Sequence, residues 1–156
     1  VKWYYNVAFI VLVMVSTLLI RVPVPAGGYF NLGDALIVFI ALVGGSASGA
    51  LAGGLGSALA DLIGFPIFAP ITLVAKGLLG FVAGLGKGRN IVLSITLPFF
   101  GELIMVAIYF CGTWLLPSLG KAAAVADLVP NLIQGFSGVL GGKLLFTAWQ
   151  SIAPRK

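Results

Sequence analysis

Of the 156 residues, 60% are hydrophobic and 8% are charged, against about 25% charged in an ordinary soluble domain. So small a polar complement cannot cover a folded surface in water, and the chain reads as lipid-embedded, with a length that fits one domain over residues 1–156. The sequence has no His and a single Cys, which excludes a His/Cys metal site, a disulfide framework and His-based acid–base catalysis, so the chain is expected to bind no metal or cofactor and to be no enzyme.

In chain order, six apolar segments are predicted as spanning helices, at about 3–20, 32–45, 47–63, 70–85, 91–116 and 128–152. The expected fold class is an all-α integral membrane protein, a compact bundle of six transmembrane helices. Arg21 and the string VPVPAGG end the first segment, and Gly44-Gly45 ends the second. Gly64-Phe65-Pro66 stops the third, and charge or Pro clusters bound the others. The first segment begins after Lys2, as a signal peptide would, but no A-x-A-type site follows it, so it reads as a span. Cys111 falls inside the fifth segment and reads as a small buried hydrophobe.

Basic residues orient the bundle. With the N-terminus inside, the cytoplasmic side holds Lys2, Lys87, Arg89, Arg155 and Lys156, and the outer side only Arg21 and Lys121. Both termini are therefore predicted cytoplasmic, and the net charge of +5 is explained by membrane topology rather than by nucleic acid. The long loops Arg21–Asn31 and Pro117–Asp127 then lie outside, while the Gly44–Ser46 and Gly86–Asn90 turns lie inside. Trp3, Tyr4, Tyr5 and Trp149 sit where interfacial anchors are expected, and Trp114 is either another anchor or a ligand contact.

The stretch GGSASGALAGGLGSALAD carries one ridge of large residues, Leu51, Leu55 and Leu59, among Gly, Ala and Ser. Small residues four apart let helix backbones approach closely in lipid, so this helix is either an internal packing element or a docking face for another membrane subunit.

Ionisable groups inside spans are costly and need a partner or a purpose. Counted from the inner ends of their helices, Glu102 and Lys143 lie at matching depths of about 16 and 14 Å at the helical rise, which predicts a structural ion pair. Asp34, Asp61 and Lys76 fall in the outer half instead. Asn131 and Gln134, one helical turn apart, lie on that side as well. These groups either cap and pair with one another or converge on a pocket for a small polar or aromatic ligand, with Asn31 and the aromatic residues Tyr29, Phe30, Phe65, Phe68, Tyr109 and Trp114 available to line it.

The string YFNLGDALI, a Gly-rich third helix ending in SALAD, and PITLVAKGLLGFVAG together resemble the S components of energy-coupling factor (ECF) transporters, across about Tyr29 to Gly84. The likeness is to the riboflavin-type or hydroxymethylpyrimidine/pyridoxine-type branch. The resemblance implies a multi-pass subunit of a bacterial plasma membrane that captures a vitamin or precursor near the outer face. A hydroxymethylpyrimidine- or pyridoxine-like ligand is the first expectation and riboflavin the second. The resemblance also implies partners, namely a transmembrane coupling subunit and two ATPases that use the ATP. The chain itself has no Walker P-loop. Family docking through an A-x-x-x-A-like pattern on helix one is incomplete here, because Ala8 is followed by Leu12, and helix three offers Ala50, Gly54 and Ala58 instead. The alternatives are an autonomous small transporter or channel, and an intramembrane enzyme. The enzyme is disfavoured because no nucleophile–base pair is visible.

Overall fold

The computed structural model describes residues 2–20, 22–23, 29–30 and 32–153. Arg21, Asn31, Arg155 and Lys156 lie outside them, as do the side chains of Tyr29 and Phe30. Six helices make up the described chain: α1 (Trp3–Leu19), α2 (Gly33–Gly44), α3 (Ser46–Gly64), α4 (Ala69–Gly84), α5 (Leu93–Leu115) and α6 (Gly120–Ile152). Four segments, Ser46–Gly64, Pro66–Gly84, Leu93–Leu115 and Gly120–Ile152, are long and apolar enough to cross a membrane, whereas α1 and α2 are shorter. Two short strands, β1 (Val22–Pro23) and β2 (Tyr29–Phe30), pair antiparallel between α1 and α2, and β2 lies against α6.

Helices α2 and α4 form the middle of the bundle. α2 packs on α3, α4 and α6, and α4 packs on α2, α3 and α5. Ile37, Val38, Ile40, Ala41 and Leu42 of α2 are all buried, which explains why this helix is apolar on nearly every side. The periphery carries the lipid-facing residues. On α1, Trp3, Val7, Val11, Leu12 and Leu19 are exposed, while Val13 and Thr17 turn inward. An exposed apolar surface of this extent is what a bilayer accommodates and water does not.

Glycine sets the spacing of α3 and α4. Gly49 and Gly80 meet backbone to backbone, and a Cβ on either would clash with the other's carbonyl; Gly53 lies in the same way against the carbonyl of Lys76. Only glycine permits approaches this close. Beyond the Gly49 contact α3 widens into a π-helical turn at Ala52–Gly56, which brings the consecutive Gly53 and Gly54 both against α4 and leaves Gly56 against Ile10 and Val13 of α1.

Two expectations are corrected here. Pro117–Asp127 is not a loop, because α6 begins at Gly120 and carries Lys121 to Asp127 within its helix. The run Ala122-Ala123-Ala124 favours helix strongly, and Pro130 is accommodated inside α6 instead of starting it. Cys111 is exposed, not buried, and lines an apolar groove between α4 and α5 with Ile71, Val74 and Ile108.

The turns at Gly45 and at Lys87 lie side by side, since a Cβ on Gly45 would touch the Lys87 Cδ at 3.3 Å. Both turns sit at one end of the bundle. The α3–α4 and α5–α6 connections sit at the other end, in keeping with the partition of loops expected from charge.

Candidate functional site

Asp34 stands in the first turn of α2, where the helix dipole favours a carboxylate. Lys76 reaches it from the middle of α4 and donates to Oδ1 at 2.5 Å and to Oδ2 at 2.6 Å. Gln134 Nε2, from α6, donates to Oδ2 at 2.8 Å. The pair is shut away from solvent and lipid, with the Lys76 and Asp34 side chains 3% and 1% exposed. Such a pair persists because each charge is the other's compensation and short charge-assisted bonds occupy both carboxylate oxygens.

A second set of bonds runs beside the first. Thr72 Oγ1 donates to Asp61 Oδ2 at 2.5 Å and lies 2.7 Å from the Tyr109 hydroxyl. Thr72 has a single hydroxyl hydrogen, which Asp61 takes, so the Tyr109 hydroxyl donates to Thr72. The Lys76 ammonium sits 5.6 Å from the centre of the Tyr109 ring, over its face, and this cation–π contact joins the two sets. Gln134, Asp34, Lys76, Tyr109, Thr72 and Asp61 therefore form one continuous polar chain drawn from α6, α2, α4, α5 and α3. It lies toward the end of the bundle that carries the α3–α4 connection.

Of the residues singled out in the sequence, Asp34, Asp61, Lys76, Tyr109 and Gln134 are brought together here. Asn131 is half-buried one turn before Gln134 on α6, and Asn31 lies outside the described residues. Trp114 has other neighbours: it is 49% exposed, packs edge-on against Phe110 at 5.8 Å and receives the Lys121 ammonium over its ring at 5.6 Å. Thr72 was not foreseen, although its position one turn before Lys76 on the same face of α4 is a signal for it.

The expected Glu102–Lys143 ion pair is not formed. Lys143 Nζ donates to Ser94 Oγ at 2.5 Å and lies over the Phe146 ring at 5.1 Å. Glu102 lies against Gly135 and Gly138 instead, and its two carboxylate oxygens have no hydrogen-bond partner. The register explains the difference. Antiparallel packing of α5 on α6 sets Ser94 opposite Lys143, so α6 continues about 12 Å past the start of α5 at the helical rise. Equal distances from the two helix ends therefore do not correspond to equal depths in the bundle.

The proposed docking residues divide. Ala8 is exposed and Ala50 half-buried, whereas Gly54 and Ala58 are buried. A Cβ on Gly54 would lie 3.0 Å from the Leu73 carbonyl oxygen and 3.2 Å from Gly77 Cα, so this glycine faces α4 and is closed to another subunit. The outward ridge of α3 consists of Leu51, Leu55 and Leu59.

A helical bundle with an apolar exterior and a buried polar chain toward one end is the arrangement of a membrane-embedded subunit. Residues 6–151 match the family described as ECF-type riboflavin transporter, S component. An uncharacterized protein in the gap 3'region, from Pyrococcus woesei, is 40% identical over 146 residues, spanning 91% of this chain and 97% of the relative. The chain belongs to the ECF-type riboflavin transporter S-component family, and so to the substrate-binding membrane subunits of vitamin uptake rather than to the enzymes.

Proposed function

We propose that this chain captures a small heteroaromatic vitamin in the polar chain centred on Lys76, with that end of the bundle facing outward and both termini in the cytoplasm. The observation that carries this reading is the buried Asp34–Lys76–Gln134 constellation joined to the Tyr109 face. It sets an ammonium, an amide, carboxylates and an aromatic face within one site, which suits a flat ring with hydrogen-bonding groups on its edge. Riboflavin now stands ahead of hydroxymethylpyrimidine- or pyridoxine-like ligands, because the matched family carries riboflavin in its description.

The reading includes all six helices as membrane-embedded elements, α1 and α2 being the short ones. It also includes delivery driven by a transmembrane coupling subunit with two ATPases. Docking would use the face of α1 and α3 that shows Ala8, Ala50 and the Leu51, Leu55 and Leu59 ridge. The deciding experiment is direct titration of the purified full chain with riboflavin, pyridoxine and hydroxymethylpyrimidine. Saturable binding of one of them, weakened at least tenfold by Lys76→Met in a protein that still folds, supports the proposal. No binding of any, or unchanged affinity in the variant, rejects it.

A further inference from the structure

Glu102 is the buried acid that the polar chain does not use. It is 2% exposed in the interior of α5, and neither carboxylate oxygen has a hydrogen-bond partner. The carboxyl group occupies a niche that exists because two residues of α6 lack side chains. A Cβ on Gly135 would stand 3.3 Å from Oε2, and one on Gly138 would stand 2.5 Å from Oε1 and 2.7 Å from the Cβ of Asp34. Gly138 is thus the point at which the two acids converge.

Asp34 of α2, bound by Lys76 of α4, reaches the same niche, while α6 presents glycine there. On the helix of Glu102, Tyr109 lies two turns further along and turns its ring to Lys76. Lys76 is already committed. Lys76 spends its donors on both oxygens of Asp34, and Gln134 adds a third bond to the same carboxylate. An ionised Glu102 would be a second negative charge with neither a hydrogen bond nor a cation of its own, in surroundings of low dielectric, which is the arrangement folded proteins avoid by taking up a proton.

We propose that Glu102 is a proton-binding site, so that Asp34, Lys76 and Glu102 together carry no net charge in the ligand-free protein. The functional consequence rests on the vitamin-binding reading: a neutral ligand enters such a core without proton exchange, whereas a cationic one displaces the Glu102 proton. The test needs no ligand and so stands or falls separately from that reading. Infrared spectroscopy of the full chain in lipid at neutral pH should show the carbonyl stretch of a protonated carboxylic acid. That band should vanish in Glu102→Gln, move in Glu102→Asp and persist in Asp127→Asn, the control for the other acid with an unpartnered buried oxygen. Should Glu102→Gln fail to fold, the displaced band of Glu102→Asp makes the assignment alone. A band missing from the unmodified protein, retained in Glu102→Gln or unmoved in Glu102→Asp overturns the proposal.

Discussion

Lys76 Nζ bonds to both carboxylate oxygens of Asp34, at 2.5 and 2.6 Å, across 42 residues of sequence. The contact ties the first turn of α2 to the middle of α4, the two central helices. Replacing one partner leaves the other as a buried, uncompensated charge, which costs about 3–5 kcal/mol, whereas replacing both by apolar residues of similar size is close to neutral. Lys76→Met and Asp34→Leu should each lower the thermal stability of the detergent-solubilised chain sharply. The double variant should recover most of that loss while failing to bind ligand. A double variant no more stable than the singles would show that the pair does not act as a unit.

Tyr109→Phe separates the ring from its hydroxyl. The ring keeps its place beneath Lys76, but the hydrogen bond to Thr72 is lost, and loss of one such bond lowers stability by about 0.5–1.5 kcal/mol. A modest shift in unfolding with ligand affinity reduced only a few-fold is expected. Tyr109→Leu, which also removes the cation–π contact, should weaken binding further. Equal affinities for the two variants would exclude the ring from recognition.

Small and large residues of α3 should behave differently. Gly54→Leu forces a side chain into the Leu73–Gly77 backbone of α4, and overpacking of this kind costs about 1–3 kcal/mol or more. It should reduce folded yield and ligand binding together. Leu55→Trp, on the outward ridge, should leave ligand binding by the isolated chain unchanged and cut uptake in cells containing the coupling module at least tenfold. Normal uptake by Leu55→Trp would remove the ridge from the docking face.

Orientation is testable with single cysteines in a Cys111→Ser background. A membrane-impermeant thiol reagent applied to intact cells should label Ser118→Cys, between α5 and α6, and reach Lys87→Cys, between α4 and α5, only after permeabilisation. The reverse pattern would invert the bundle and turn the polar chain inward.

The sequence revealed most where lipid makes a residue conspicuous. Asp34, Asp61, Lys76 and Gln134 stand out because a polar group in an apolar segment has to be accounted for, and in the fold Lys76 and Gln134 meet on Asp34 while Asp61 is linked to them through Thr72 and Tyr109. Thr72 stays inconspicuous, since threonine is ordinary in a membrane helix and can bond to its own backbone. Glu102 and Lys143 do not pair, for a different reason. Their residue types were informative, but their meeting depended on how far α5 slides along α6, and nothing in either helix alone fixes that offset. The small residues of α3 posed a similar ambiguity. A face of Gly and Ala suits a neighbour in the same chain as well as one in another chain, and here α4 and α1 occupy Gly53, Gly54 and Gly56.

The backbone contact between Gly53 and the Lys76 carbonyl, together with that between Gly49 and Gly80, also constrains how the molecule can move. Side chains act as cushions: they change rotamer and absorb small displacements between helices. At these two points there is no cushion. The stretch of α3 that carries the outward Leu51 and Leu55 is thus set directly against the backbone of the α4 segment that carries Lys76, with no side chain of either glycine between them.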